Sequence, residues 1–296
     1  MQAIDIILEN SQPLAPKPTD TEPVLPELDG IRAVLFDVYG TLFISASGDI
    51  SLTSGASRGD AAEQACQQAG LMLTTAVGDD VVAALHAEIK RQHAESDFEF
   101  PEVDIHEVWR SALKTLLEQG YIDYTLKDHE IEQLAIEYET RVNPVWPMPG
   151  LSDCLASLHA AGLPLGIVSN AQSFTRELFP ALGGGPLDEL GFDAALCVWS
   201  YEERKAKPSQ WMYEKVSRVL TERGIAPDTV LYVGNDMRND VAPAAAVGFR
   251  TVLFAGDARS LRLREGDPLV EGVQPTAVVT DLRQILTILR LAPPQL

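Results

Sequence analysis

The stretch RAVLFDVYGTLF, Arg32 to Phe43, decides the fold. An apolar run, Val34 to Phe36, ends in Asp37, and Gly40 and Thr41 follow at once. A carboxylate is therefore presented on a turn leaving a buried strand. Strand ends in an open α/β sheet face a crevice rather than the packed layers, which is where such folds place their chemistry. Tyr39 stands two residues beyond the acid. Taken alone, Asp37 could do no more than cap the turn.

Outward from this strand, the pattern C-terminal to Asn143–Gly150 (NPVWPMPG, with three prolines marking a hinge or boundary) alternates helices with short buried strands. Strands are expected at Leu165–Val168, Leu196–Trp199, Val230–Val233, Val252–Phe254 and Ala277–Val279, and helices at Leu151–Ala161 and Pro208–Arg223. Strands separated by helices imply a parallel sheet with right-handed crossovers, and the strand at Val34 belongs to it. The fold class is α/β: a doubly wound, Rossmann-like parallel core.

Between Ser51 and Pro144 the period is helical instead. Val81, Val82, Leu85 and Ile89 repeat at helical spacing behind Asp79 and Asp80, and Ile105, Val108, Trp109, Leu113, Leu116 and Leu117 do so again. Asp104 and Glu107 resemble a capping box for the second helix, and Gly120 ends it. A third runs from near Asp128 through Ile131, Leu134, Ala135 and Tyr138 to just before Asn143. Residues 46–146 thus form a helical cap inserted into a core of 31–45 plus 147–296, and residues 1–30, with five prolines, form an extended leader rather than a packed element. No internal repeat is visible.

Composition narrows the function. At 296 residues and 46% hydrophobic, the chain can bury a sizeable core. A net charge of -20 disfavours nucleic acid and anionic membrane surfaces, whose binding depends on Lys and Arg against phosphate. No segment approaches the roughly 18 consecutive apolar residues of a membrane helix. The N-terminal MQAIDIILEN lacks the basic flank of a secretory signal, which predicts a cytoplasmic protein. Cys66, Cys154 and Cys197 are scattered without metal-ligand spacing and read as buried small residues. The expected partner is a small anionic substrate, and a homodimer is left open. A substrate anion would need local positive charge from a lysine, a helix N-terminus or a metal ion.

Four polar clusters fall at or just after predicted strand ends: Asp37 with Thr41, Ser169 with Asn170, Lys207, and Asn235, Asp236 and Asp240 in LYVGNDMRND. In a parallel sheet these ends open on one edge, so the clusters converge. Their order, over about residues 31 to 290 with the helical insert included, resembles the haloacid dehalogenase-like hydrolase superfamily. The resemblance implies that Asp37 is a nucleophile forming a covalent aspartyl ester, that Thr41 and Ser169 orient the substrate with Gly40 and Asn170 beside them, and that Lys207 holds charge. It also implies that Asp37, the main-chain carbonyl of Tyr39, Asp236 and Asp240 hold Mg2+, a hard, oxygen-seeking ion commonly paired with phosphate.

Two features depart from the phosphatases of that family. They carry a second acid where Tyr39 stands, and a phenol with an ordinary pKa of about 10 is poorly matched to moving protons at neutral pH. In this respect DVYGT is similar to the metal-independent 2-haloacid dehalogenases, whose halide leaves without a proton. In the fourth cluster the acid that usually follows the glycine is Asn235, with Asp236 one residue later. The expected function is a Mg2+-dependent phosphatase-type hydrolase of a small phosphorylated metabolite. The alternatives are a metal-independent 2-haloacid dehalogenase, or a low-turnover binding or regulatory protein on the same scaffold.

Blander readings stand beside these. Ser169 and Asn170 could be an ordinary helix N-cap, Lys207 a solvated lysine with Arg204 and Lys205 as neighbours, and Tyr39 a packed pocket wall. Arg91, His93, His106 and Arg110 could reach toward a substrate anion, but on amphipathic helices such residues are usually solvated. Trp146 and Trp199 read as core.

Overall fold

The structure is a computed structural model and describes residues 2–46, 55–75 and 77–292. Its main sheet is built from β1 (Ala33–Phe36), β4 (Leu165–Ser169), β5 (Phe192–Trp199), β6 (Val230–Gly234), β7 (Arg250–Phe254) and β8 (Ala277–Val279). They lie in the order β5-β4-β1-β6-β7-β8, every pair parallel. The strand carrying Asp37 is therefore central, with the order reversing around it. Alternation along β1 supplies both layers. Val34 and Phe36 join Ile167, Val233 and Phe254 on one face, while Ala33 and Leu35 join Val168, Tyr232 and Met212 on the other.

Helices α6 (Leu151–Ala160), α8 (Trp211–Glu222) and α10 (Gln284–Ile288) run between or after the strands, with short turns α7 (Ser200–Glu203) and α9 (Ala242–Ala246). The expected helix from Pro208 starts three residues later, at Trp211, because Pro208 and Ser209 form the turn whose hydroxyl receives the Trp211 N–H at 3.3 Å. The expected strand at Leu196 starts earlier, at Phe192. Its first residues include exposed Ala194 and Ala195, so an edge position rather than hydrophobicity permits the extension.

A second sheet, antiparallel and two-stranded, pairs β2 (Phe43–Ser45) with β3 (Val145–Pro147). These two stems flank the insert and were not expected from the sequence. Beyond them α2 (Gly55–Gln68), α3 (Gly78–Glu95), α4 (Ile105–Glu118) and α5 (Asp128–Val142) bury a separate cluster around Trp109, Leu113, Leu134 and Tyr138. Asp104 caps α4 by accepting from His106 N at 2.9 Å, whereas Glu107 turns to Arg204 at 2.9 Å instead of closing a capping box.

The leader is only partly extended. Residues Ala3–Asn10 form α1, with Ile6 and Ile7 fully buried in the main core, because an isoleucine pair has more to gain from burial than from solvent. The rest runs along the sheet edge: Val24 exchanges two backbone hydrogen bonds with Val278 (2.9 and 3.0 Å), and Lys17 N donates to Asp257 at 3.2 Å. Among the described residues no helix is long and apolar enough to cross a membrane. All three cysteines are free, with Cys66 and Cys154 buried and Cys197 partly so.

Candidate active site

Asp37 leaves β1 with its N–H still bonded to Val233 of β6 at 2.9 Å, so the ladder fixes its backbone. Two donors meet on its Oδ1: Ser169 Oγ from the end of β4 at 2.8 Å and Lys207 Nζ at 2.7 Å. Lys207 also donates to Asp240 Oδ1 at 2.6 Å, and Tyr232 OH donates to that oxygen at 3.0 Å. Asp37, Ser169, Lys207 and Asp240 are all buried. Residues 37, 169, 207 and 240 thus meet at one edge of the sheet, where topology sends them.

Burial alone would push the Lys207 ammonium down, but Asp240 and Asp37 outweigh it and hold it well above its ordinary value. The same burial pushes Asp240 up, aided by Asp37 and Asp236 and opposed by Lys207. At 2.6 Å from a fixed ammonium, Asp240 stands as a carboxylate.

Gly40 sits at φ +79°, and a Cβ there would lie 2.5 Å from Ser260 Cβ and 2.9 Å from Asn235 Nδ2. Only glycine lets the loop close on these neighbours. Thr41 is fully buried and donates to Asn235 Oδ1 at 3.1 Å, bracing the loop rather than reaching the pocket. Asn170 accepts from Lys207 N at 2.7 Å and so sets where the lysine starts. Tyr39 lines the pocket as a wall, its hydroxyl 3.0 Å from Thr175 Oγ1. Burial first, then the nearby charge of Glu139, pushes this phenol far up, which removes it as a proton carrier near neutral pH.

Asp236 departs from the expected metal role. Its carboxylate is gripped by Arg264, with Nη2 at 2.6 Å and Nε at 3.1 and 3.2 Å, and its Oδ1 caps the turn Met237–Val241 by accepting from Arg238 N and Asn239 N. Asp236 lines the same pocket as Asp37 with its carboxylate engaged by these donors. Among the described residues no three acid, His or Cys side chains gather as a metal cage. Mg2+ does not require one, since it commonly uses one or two carboxylates and keeps several waters. Asp37 and Asp240, which line the same pocket, supply carboxylates for that pattern. Asn235 adds an amide oxygen held toward the loop because Nδ2 is fixed by Ser260 O at 2.6 Å.

These residues floor a pocket of about 380 Å3. Its walls include Glu102, Glu139, Phe174, Arg262 and Arg264. Arg91, His93, His106 and Arg110 do not line it; Arg91 pairs with Glu88 and Glu95, and Arg110 with Asp128. Lys205 lies 3.7 Å from the centre of the Trp211 ring, Arg204 binds Glu107, and Trp199 is core. Sequence reasoning missed the wall. Arg262 and Arg264 follow the end of β7 in an otherwise acidic chain, which is a readable signal. Glu139 sits four residues after Ala135 in the apolar stripe of α5, a second one.

Comparison with known proteins bears on the family. Residues 31–248 match the haloacid dehalogenase-like hydrolases. A stretch of 105 residues, 35% of this chain, is 32% identical to the phosphoglycolate phosphatase of Escherichia coli (strain K12), and spans 38% of that protein's length. The phosphoglycolate phosphatase of Salmonella typhi is 30% identical over the same extent. The 2-haloacid dehalogenase from Pseudomonas syringae pv. Tomato DC3000 superposes with a TM-score of 0.58 at 18% identity, covering 87% of this chain and 97% of that one, a likeness of fold. With the match spanning the Asp37 loop, Lys207 and the cluster at 235–240, the chain belongs to the haloacid dehalogenase-like hydrolase family and is a hydrolase.

Proposed function

We propose that the chain is a phosphatase-type hydrolase of a small phosphorylated metabolite, working through an aspartyl intermediate at Asp37. The observation that carries this reading is the Asp37 carboxylate held through one oxygen by Ser169 and Lys207 on the floor of the pocket. With Oδ1 clamped, the other oxygen is the one available to attack phosphorus. Lys207 and Ser169 then stand beside the transferring group, where their donors oppose its negative charge. Asp37, Asp240, Asn235 and the main-chain carbonyl of Tyr39 would hold Mg2+, which when bound neutralises and orients the phosphoryl oxygens. The partial identity to phosphoglycolate phosphatases supports a phosphoester substrate.

One observation favours a second reading. The Tyr39 hydroxyl faces Thr175 and is held protonated, so position 39 supplies no acid; a 2-haloacid dehalogenase, whose leaving group needs no proton, would tolerate that.

Purified protein offered 4-nitrophenyl phosphate and 2-chloropropionate, each with Mg2+ and with EDTA, separates the two. Phosphate release abolished by the chelator, and abolished in Asp37→Asn, is expected. Halide release indifferent to chelation would replace the first reading by the second. Turnover of neither substrate, in a protein that still binds Mg2+, would point to a binding or regulatory role.

A further inference from the structure

A phosphatase without an acid at position 39 needs its proton from another side chain, and the pocket offers four acids besides Asp37: Glu102, Glu139, Asp236 and Asp240. Three are committed. Glu102 accepts from Ser200 Oγ at 2.7 Å and Val103 N at 2.9 Å; Asp236 is gripped by Arg264; Asp240 is paired with Lys207. Glu139, on the last turn of α5, is different. Its one side-chain donor among the described residues is Asn143 Nδ2, at a long 3.5 Å, while the Oδ1 of that amide accepts from Ser45 Oγ at 2.8 Å.

The geometry points to Glu139, reaching into the pocket from the cap beside Tyr39, as the proton donor to the leaving group, an inference that rests on the phosphatase reading. Glu139 lines the same pocket as Asp37 and Tyr39, and its charge acts on the Tyr39 hydroxyl more strongly than that of Asp37. Burial pushes its carboxyl up to about 7, with Asn143 and Arg58 pulling the other way, so near neutral pH it exchanges a proton readily. The groups that face it come from several elements: Arg58 from α2, Tyr39 from the loop after β1, and Tyr138 and Asn143 from its own helix.

The steps balance. Asp37 forms a bond to phosphorus as the bond to the leaving oxygen breaks, the electron pair stays on that oxygen, and the Glu139 proton passes to it to give an alcohol. Water then attacks phosphorus, its proton returns to Glu139, and the aspartyl oxygen departs with its electron pair.

The test uses the full chain, Mg2+ and two leaving groups. On ethyl phosphate, whose alkoxide needs a proton, Glu139→Gln should be slower by about 10²-fold or more. On 4-nitrophenyl phosphate, whose phenolate is a weak base, its kcat/KM should stay within a few-fold of wild type; kcat/KM is the readout for both substrates because it excludes the later hydrolysis of the aspartyl ester, where Glu139 serves as base for either. The ethyl phosphate rate of wild type should fall as pH rises through about 7 and that of Glu139→Gln should not. Equal losses on both substrates, or none, would overturn the inference. Glu139→Asp keeps the carboxyl and should recover part of the ethyl phosphate rate; recovery no better than Glu139→Gln would make the role one of packing and also overturn it. Wild type inert toward both phosphates would sink the phosphatase reading and this inference together, whereas an active wild type with an unchanged leaving-group ratio in Glu139→Gln sinks this inference alone.

Discussion

The floor of the pocket and its wall are built on different principles. Asp37, Ser169, Lys207 and Asp240 sit at or beside strand ends, buried and bonded to one another at 2.6 to 2.8 Å. Glu139 projects from a helix of the inserted cap, and its closest donor is 3.5 Å away. A floor tied to a parallel sheet is pre-organised and changes little. A wall on a separately packed helical cluster can be remodelled without disturbing Asp37, so on the function proposed above the covalent step belongs to the floor and the proton supply to the wall.

The comparison breaks most visibly at Lys207. Replacing it with methionine leaves Asp37 and Asp240 facing each other, buried, without the ammonium that separates them. Removing one partner of a buried ion pair typically costs about 3 kcal/mol or more of stability, and loss of a charge-holding group costs roughly 10²- to 10³-fold in kcat. Thermal denaturation and steady-state kinetics of Lys207→Met check both. A variant with near wild-type melting temperature would show that the floor is not held by this pair.

Gly40→Ala probes the floor from its loop. The added Cβ would need to pass within 2.5 Å of Ser260 Cβ at a φ of +79°, so both space and backbone oppose it. A loss of about 3 kcal/mol is expected from urea unfolding. Gly70, also at positive φ but with nothing near its Cβ position, is the matched control, and Gly70→Ala should lose about 1 kcal/mol. Equal losses would mean that backbone strain, rather than closure of the loop on Ser260, makes position 40 glycine.

How much of this was legible follows from the same division. The strand ends could be read because hydrophobic runs locate strands, and parallel topology brings their ends together whatever their separation in sequence. Hence Ser169 and Lys207 were placed beside Asp37 although 132 and 170 residues away. What Asp236 touches could not be read, because proximity in GNDMRND says nothing of side-chain direction; the guanidinium that grips it comes from 28 residues further on. Glu139 was hidden because helical period identifies a stripe but not what faces it. The leader helix was hidden because five prolines in residues 11–30 outweighed the short apolar signal Ile4 to Leu8 before them.

The wall should also differ from the floor in how its acid affects stability. Glu139 is raised to about 7 in the folded chain, above its ordinary value of 4.5, because burial disfavours the charged form. The folded state therefore holds this proton more tightly than the unfolded state. Its favourable contribution is fully present below about 4.5 and is lost as pH rises through about 7, beyond which it is constant. Glu139→Gln removes that slope. Relative to wild type the variant should gain on the order of 2 kcal/mol at pH 8 and little at pH 5, the partial exposure of the site to the pocket keeping the effect below the full linkage value. Chemical denaturation at the two pH values measures it. A pH-independent difference would mean that the carboxyl is solvated like a surface glutamate, and would remove the physical reason for expecting this wall to hold a proton near neutrality.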